Sequence, residues 1–474
     1  MRRRSVLLAT LLAATALPGL AQTPAAAPAA APASIPAKVD PFVARLRDTA
    51  LKDDMAYDLV EGLTTEVGQR LAATEAEARA RSWAVAKLRA MGFRNVRVET
   101  FQMPAWVRGE ETAEIVSPFA QKLVLTALGN SGATPPEGLT APVVVFPTYN
   151  DLLAAPDGSL TSKIVYIGHA MAPSQDGSSY GAYGAARRAG PAAAARKGAV
   201  AVVIRSIGTS DNRLPHTGGT SFPAGVTPIP AAALSNPDAD QLERIAARGR
   251  PVTMRLVLTP RFLGQAESGN VIAEVPGTDP GAGVVLIGGH LDSWDLGTGA
   301  IDDAAGVAIT AVAAKRIMDS GRRPRRTIRV VWFGAEEVGV FGGRAYAERH
   351  PERHALTAES DFGADRIWRF ETNLPAGANA VGDRLQAALA PLGIPRGAGV
   401  AGDGADVGPI MARGTAAIDL NQSGIRYFDT HHTPNDTIDR IDPEQLRQNV
   451  AAWTAMLAVV AYAPEDIGPV TPAK

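Results

Sequence analysis

Val284-Val285-Leu286-Ile287-Gly288-Gly289-His290-Leu291-Asp292 is the stretch that decides the fold. Its first four residues form an unbroken apolar run, the pattern of a strand buried on both faces. Residues 327–333 repeat that pattern. Between the two runs, residues 303–317 read as a helix that stops near Gly321, a residue suited to the left-handed turn that ends helices. Alternation of buried strand, loop and helix predicts an α/β fold, a mainly parallel sheet with helices on both sides. An amphipathic helix over residues 443–461 completes that unit.

Working outward, residues 76–91 read as a helix with Ala80, Ala84, Leu88 and Met91 on one stripe and Gly92 as the stop. Residues 94–100 alternate, with Val96, Val98 and Thr100 on one side and Arg97 and Glu99 on the other, as in a half-buried strand. The stretch 112–262 has another texture: Gly, Pro and Ala, short β-branched runs at 143–146, 164–167 and 200–204, and a helix-like segment at 238–248. It reads as an inserted α/β or β-rich lid or binding domain. The expected division is therefore 40–111 with 263–464 as the main domain, 112–262 as the insert, and 465–474 as a tail.

The N-terminal end reads as an export signal over residues 1–21. Arg2, Arg3 and Arg4 precede an apolar run, and Gly19-Leu20-Ala21 supplies small residues for cleavage. The run is shorter than the roughly 20 residues that span a bilayer, which disfavours an uncleaved anchor. Arg3-Arg4 gives a loose likeness to a twin-arginine signal. Residues 22–39, mostly Ala and Pro, cannot bury apolar area and read as a flexible tether. The expected destination is the periplasm or the medium, with no stable membrane insertion once the signal is removed.

Length and composition fit a globular protein of more than one unit: 474 residues, 46% hydrophobic and 20% charged. A net charge of −1 gives no support to a nucleic-acid partner. There is no cysteine, so any bound metal must sit on His, Asp and Glu.

The acids and imidazoles fall where parallel α/β sheets place their sites, just beyond the carboxyl ends of strands. His290 and Asp292 follow the first apolar run, and Glu336-Glu337 follow the second. Asp302-Asp303 opens the helix after Gly297-Thr298-Gly299, Glu359-Ser360-Asp361 ends another short run, and His431-His432 lies in a late loop. Singly each has an ordinary explanation. His290 alone fits a satisfied core histidine, one of Asp302 and Asp303 serves as an N-cap, and Glu336-Glu337 fits a solvated pair. Jointly they fit something else. Asp292, two residues from His290 in an extended segment, projects to the same side and can fix the imidazole. Adjacent carboxylates repel unless a cation joins them. Hard oxygen donors mixed with imidazoles suit Zn, Mn or Co. Five ligands around one carboxylate suit two ions, roughly 3.5–4 Å apart in two-metal hydrolases.

Gly288-Gly289-His290-Leu291-Asp292-Ser293, Asp302-Asp303-Ala304-Ala305-Gly306, Gly334-Ala335-Glu336-Glu337, Glu359-Ser360-Asp361 and His432-Thr433-Pro434-Asn435-Asp436-Thr437 together resemble the M28 family of zinc peptidases, in that family's order. The run through Trp294-Asp295 resembles the branch that contains carboxypeptidase Q. Pro215-His216-Thr217-Gly218 and Ile229-Pro230-Ala231-Ala232 resemble the protease-associated domain of that branch. The resemblance implies a phosphorylase/hydrolase-like core and two Zn2+, with Co2+ or Mn2+ as substitutes. His290, Asp361 and Asp302 would hold one ion; Glu337, His432 and the same Asp302 would hold the other. Glu336 would be the general base and Asp292 the partner of His290. A cis peptide often follows the bridging Asp. The implied substrate is a dipeptide or short peptide with a free N-terminus, and the implied assembly a homodimer. Tyr427 is a candidate oxyanion donor, and His216 a candidate substrate contact reaching over from the insert. Two other readings share the fold: a binding module that has lost its metals, against which the full ligand set stands, and a single-zinc glutaminyl cyclase, against which the wide insert stands.

Overall fold

The computed structural model describes residues 39–402 and 404–471; the expected signal and nearly all of the tether lie outside the described residues. Among the described residues the strands form two sheets. The seven-stranded sheet runs in the order Arg94–Val107, Arg261–Val275, Thr327–Phe333, Val284–His290, His354–Glu359, Ala416–Gln422, Ile367–Asn373. Its middle four strands are parallel, and the pairings at both margins are antiparallel. The sheet is therefore mixed, where the sequence predicts a mainly parallel one. The apolar runs that carry the parallel signal are the central strands, buried along almost their whole length. Arg94–Val107 keeps one side in water, and Arg261–Val275 is exposed over its first half and buried from Ser268 onward, which antiparallel margins tolerate and which dilutes the apolar pattern.

Side chains alternate across this sheet as strand geometry dictates. Val285 and Ile287 point into the large core, while Leu286 joins Val331, Phe333 and Tyr346 in a smaller core on the other face. The helix Ala305–Asp319 is buried over nearly all its length, and Pro443–Val460 packs against it. The predicted helix start at 303 moves to Ala305 because Asp302 and Asp303 hold non-helical backbone angles. The helix Glu75–Ala90 begins on Thr74, whose hydroxyl accepts from Glu77 N, and Ala80, Ala84 and Leu88 are fully buried as expected.

The eight-stranded sheet is built wholly from strands between residues 111 and 258, in the order Gln121–Leu123, Glu111–Ser117, Thr253–Leu258, Leu139–Phe146, Ile164–Ile167, Ala201–Arg205, Ala231–Leu234, Leu125–Ala127. Its core includes Ile115, Tyr166, Val203, Leu242 and Leu256, and Trp294 from the loop after Val284–His290 packs into it. No helix among the described residues is long and apolar enough to cross a membrane.

One buried acid beneath the main sheet has a measurable consequence. Glu77 is fully enclosed, accepts from Ala73 N at 3.2 Å and from the Ser268 hydroxyl at 3.0 Å, and lies 3.6 Å from Arg81. Burial pushes its carboxyl up to about 7 against the pull of Arg81. An acid raised on folding holds its proton in the native state after the unfolded chain has lost it. Stability therefore falls as pH rises from the unfolded value of 4.5 to about 7, by ~3 kcal/mol at most, and is level above. Glu77→Gln removes this component. Denaturant unfolding at pH 5 and pH 8 should show a smaller loss in the variant; equal losses would assign the pH dependence elsewhere.

Candidate metal centre

Three strand ends, the turn before the helix Ala305–Asp319 and one late loop converge on one buried group of acids and imidazoles. His290 closes its strand opposite Phe333. Gly289 precedes it because a side chain there would collide with Asp303 Oδ2 at 2.2 Å and with the Ser360 carbonyl at 2.8 Å. Such contact leaves no room for a Cβ. His290 Nδ1 donates to the Asp292 carbonyl at 2.9 Å, which turns Nε2 toward Asp302 Oδ1 at 3.1 Å and Asp361 Oδ1 at 3.3 Å.

Asp292 meets His290 mainly through its carbonyl, with its carboxylate farther off. Its carboxylate is 3.8 Å from the imidazole and accepts from Glu336 N at 3.1 Å and Glu337 N at 3.4 Å. The strand before the two glutamates ends at Phe333, and Ala335 takes φ 60°, so the chain turns and both amides face Asp292. Asp292 thus fixes the Glu336-Glu337 turn with its side chain and His290 with its main chain.

Asp302 and Asp303 are joined by a cis peptide and divide their work. Asp303 is spent on backbone, accepting from His290 N at 3.1 Å and Gly306 N at 2.9 Å. Asp302 faces both histidine groups, with Oδ1 on His290 and Oδ2 3.2 Å from His432 Nε2 and 3.6 Å from His431 Nε2. His432 Nε2 also meets Glu337 Oε2 at 2.9 Å. His432 has φ 60°, and its Nδ1 donates to the Thr217 carbonyl at 3.2 Å.

Electrostatics agree with the geometry. Burial disfavours the charge on His290, yet Asp361 and Asp302 hold it well above its ordinary range. Burial likewise opposes charge on His432, which Glu337 and Asp302 raise. Burial raises the carboxyls of Glu337 and Asp361, and it raises Glu336 well above the usual range, with Asp361 and Glu337 adding to the rise. Packed this closely, these acids need positive charge among them. Asp302 Oδ2 and Glu337 Oε1 are buried and make no hydrogen bond. Orphaned carboxylate oxygens beside imidazole nitrogens are the donor set of a divalent ion. Two groups of donors lie close enough to hold one: His290, Asp302 and Asp361, and Asp302, His431 and His432.

A cleft of about 380 Å³ opens over these residues and is lined by Asp302, Glu336, Glu337, Asp361, Tyr427, His431 and His432. Tyr427 stacks on Phe362 with ring centres 4.8 Å apart, and burial holds its hydroxyl protonated. His216 is not in the cleft. It is 1% exposed, its Nδ1 bonds the His431 carbonyl at 2.7 Å, and its Nε2 meets the Ser210 hydroxyl at 3.1 Å. Burial lowers its pKa to about 3, so it stays neutral. The corrected role is a brace behind the His431-His432 loop, because both nitrogens are spent within the protein.

Sequence reasoning set His431 aside, yet its ring stacks on His432 at 3.5 Å and its Nε2 faces Asp302. It also missed Arg70, fully buried, which donates to the Leu291, Thr298 and Gly299 carbonyls and so clamps the loop leading to Asp302. Asp436 holds the same loop by accepting from Ile301 N at 2.7 Å. Nothing local in Gln69-Arg70-Leu71 signals this role.

The profile of Peptidase family M28 matches residues 270–457. The chain is 33% identical over 428 residues to carboxypeptidase Q of Bos taurus, covering 88% of this chain and 86% of that protein. Its fold is similar to the crystal structure of a peptidase M28 precursor from Shewanella amazonensis SB2B, with TM-score 0.88, 46% identity, and coverage of 91% of this chain and 98% of that one. BSAP, a zinc aminopeptidase from Bacillus subtilis, is similar in fold at TM-score 0.62 and 21% identity, over 87% of this chain and 97% of its own.

Proposed function

The chain belongs to peptidase family M28 and is a hydrolase acting on peptides, and from that premise we propose that it is an exported di-zinc exopeptidase of the aminopeptidase or dipeptidase type. One observation carries the two-ion reading: Asp302 offers one oxygen to His290, beside Asp361, and the other to His432, beside Glu337. His290 and Asp361 would hold one ion, Glu337 and His432 the other, and Asp302 both. The orphaned oxygens of Asp302 and Glu337 support that assignment. Co2+ or Mn2+ would substitute in the same donor set.

When bound, the ions supply Lewis acidity, lowering the pKa of water toward neutrality and polarising the scissile carbonyl. Glu336 accepts the proton of the attacking water and returns it to the amine as the C–N bond breaks. Asp292 keeps Glu336 aimed into the cleft through its amide. Tyr427, held as a donor, is placed to stabilise the oxyanion. The unit around the eight-stranded sheet serves as a protease-associated-type insert. Its Thr217 fixes the tautomer of His432. Export follows from the basic and apolar N-terminal run.

The test is metal content per chain together with dipeptide hydrolysis before and after chelation. About two zinc ions per chain are expected, with activity lost on chelation and restored by zinc. Folded protein that binds no metal and cleaves no dipeptide would end the reading.

A further inference from the structure

One imidazole of the cleft has no task in the two-ion site. His431 lines the cleft and is 5% exposed. Its ring is packed among aromatic neighbours: it stacks on His432 at 3.5 Å, and the ring centres of Tyr180, Tyr427 and Phe428 lie 5.0–5.4 Å away. Its main chain is held as well. The amide donates to the Tyr427 carbonyl at 3.0 Å, and the carbonyl accepts from His216 Nδ1 at 2.7 Å.

Both nitrogens of this fixed ring are unspent. Nδ1 is buried without a hydrogen-bond partner, and Nε2 stops 3.6 Å from Asp302 Oδ2, beyond hydrogen-bond reach. A metal-binding imidazole anchors its other ring nitrogen. His290 does so on the Asp292 carbonyl, and His432 on the Thr217 carbonyl. His431 has no such anchor, which separates it from the two proposed ligands. Its Nε2 faces a carboxylate, which places the ring proton on Nε2 and leaves the lone pair on Nδ1.

In the two-ion site Asp302 gives both oxygens to the ions. The Nε2–H of His431 then has no acceptor among the described residues and is open to an oxygen that enters the cleft. It stands beside Asp302 and His432, with the Tyr427 ring next to it. A donor held rigidly where negative charge develops acts mainly in the transition state, because it needs no reorganisation there.

Resting on the exopeptidase reading above, we propose that His431 is a further catalytic residue, whose Nε2–H donates to the oxygen of the scissile carbonyl, beside Tyr427, as that oxygen becomes an oxyanion. The proton stays on the imidazole throughout, and Glu336 alone carries a proton from water to amine.

The test compares zinc-loaded wild type with His431→Phe, which keeps a stacked ring and removes the N–H. For Ala-Leu, kcat and kcat/KM should both fall by about 10²–10³-fold, the cost of one lost oxyanion donor, with KM within about threefold of wild type. A phosphinic isostere of Ala-Leu, whose charged oxygen stands in for the oxyanion, should bind more weakly by a similar factor in calorimetry, while zinc per chain is unchanged. His431→Gln, which offers an N–H at similar reach, should recover part of both losses. His431→Met, of matched length and without a donor, should not. This pair carries the comparison if the Phe variant does not fold. Loss of zinc from the folded Phe or Met variant would make His431 a ligand, and a loss confined to KM would make it a ground-state contact; either overturns the oxyanion role. Unchanged kcat and phosphinate affinity would overturn it too, while leaving the exopeptidase reading intact. A wild type that neither binds zinc nor cleaves Ala-Leu would overturn both.

Discussion

Glu336→Gln should lower kcat by about 10²–10⁴-fold, the span of a positioned acid–base group, while bound zinc and thermal stability stay at wild-type levels. The change is nearly isosteric and removes only the capacity to take and return a proton. The Glu336 amide still binds Asp292, so the turn survives. The acid proposed to hold an ion is its neighbour Glu337, whose Oε2 faces His432, while the Glu336 side chain lines the open cleft. Because the loss falls on the chemical step, kcat and kcat/KM should drop together. The measurement is steady-state hydrolysis of a dipeptide beside metal analysis of the same preparation. Loss of zinc in parallel with activity would make Glu336 a ligand instead, and a kcat within threefold of wild type would move the base elsewhere.

Features encoded by neighbouring residues were legible in the sequence, and features made by distant ones were not. The unbroken apolar runs mark the central strands, and the acids and imidazoles just beyond them mark the cleft. A choice between adjacent like residues needs backbone geometry. Asp303 is committed to two amides and Asp302 is not, a distinction carried by angles that no composition records. Asp292 was linked to His290 by spacing. The turn at Ala335 also brings two amides to its carboxylate, so its carbonyl makes the shorter contact with the imidazole. His216 reads from the sequence as a candidate substrate contact, but the loop bearing His431, more than two hundred residues away in sequence, takes its Nδ1. Arg70 is the extreme case: a basic residue that the average pattern places in water is buried because three carbonyls of another loop surround it. The half-buried strand at residues 94–100 is legible, but its antiparallel pairing is not, since the direction of a neighbour is set by residues far away in sequence.

Asp302→Ala should have the widest effect of any single change: loss of both ions, loss of measurable turnover, and loss of the stabilisation that zinc confers. Among the described residues, Asp302 is the one side chain that pairs with both His290 and His432. Its removal leaves His290 with Asp361 and His432 with Glu337, two separated donor pairs that each fall short of the three protein ligands usual for catalytic zinc. Glu337→Ala or His432→Ala should instead spare the His290, Asp302 and Asp361 group and retain about one ion per chain. Wild-type protein should gain about 2.7 kcal/mol at zinc one-hundredfold above its Kd, and Asp302→Ala should gain close to nothing at the same concentration. Thermal unfolding with and without zinc, paired with metal counts, separates the cases. Asp303→Ala supplies the contrast. Its losses are two backbone contacts, so it should unfold more readily while keeping zinc in the fraction that remains folded. Two ions retained by Asp302→Ala would refute the shared carboxylate and leave two independent sites in its place.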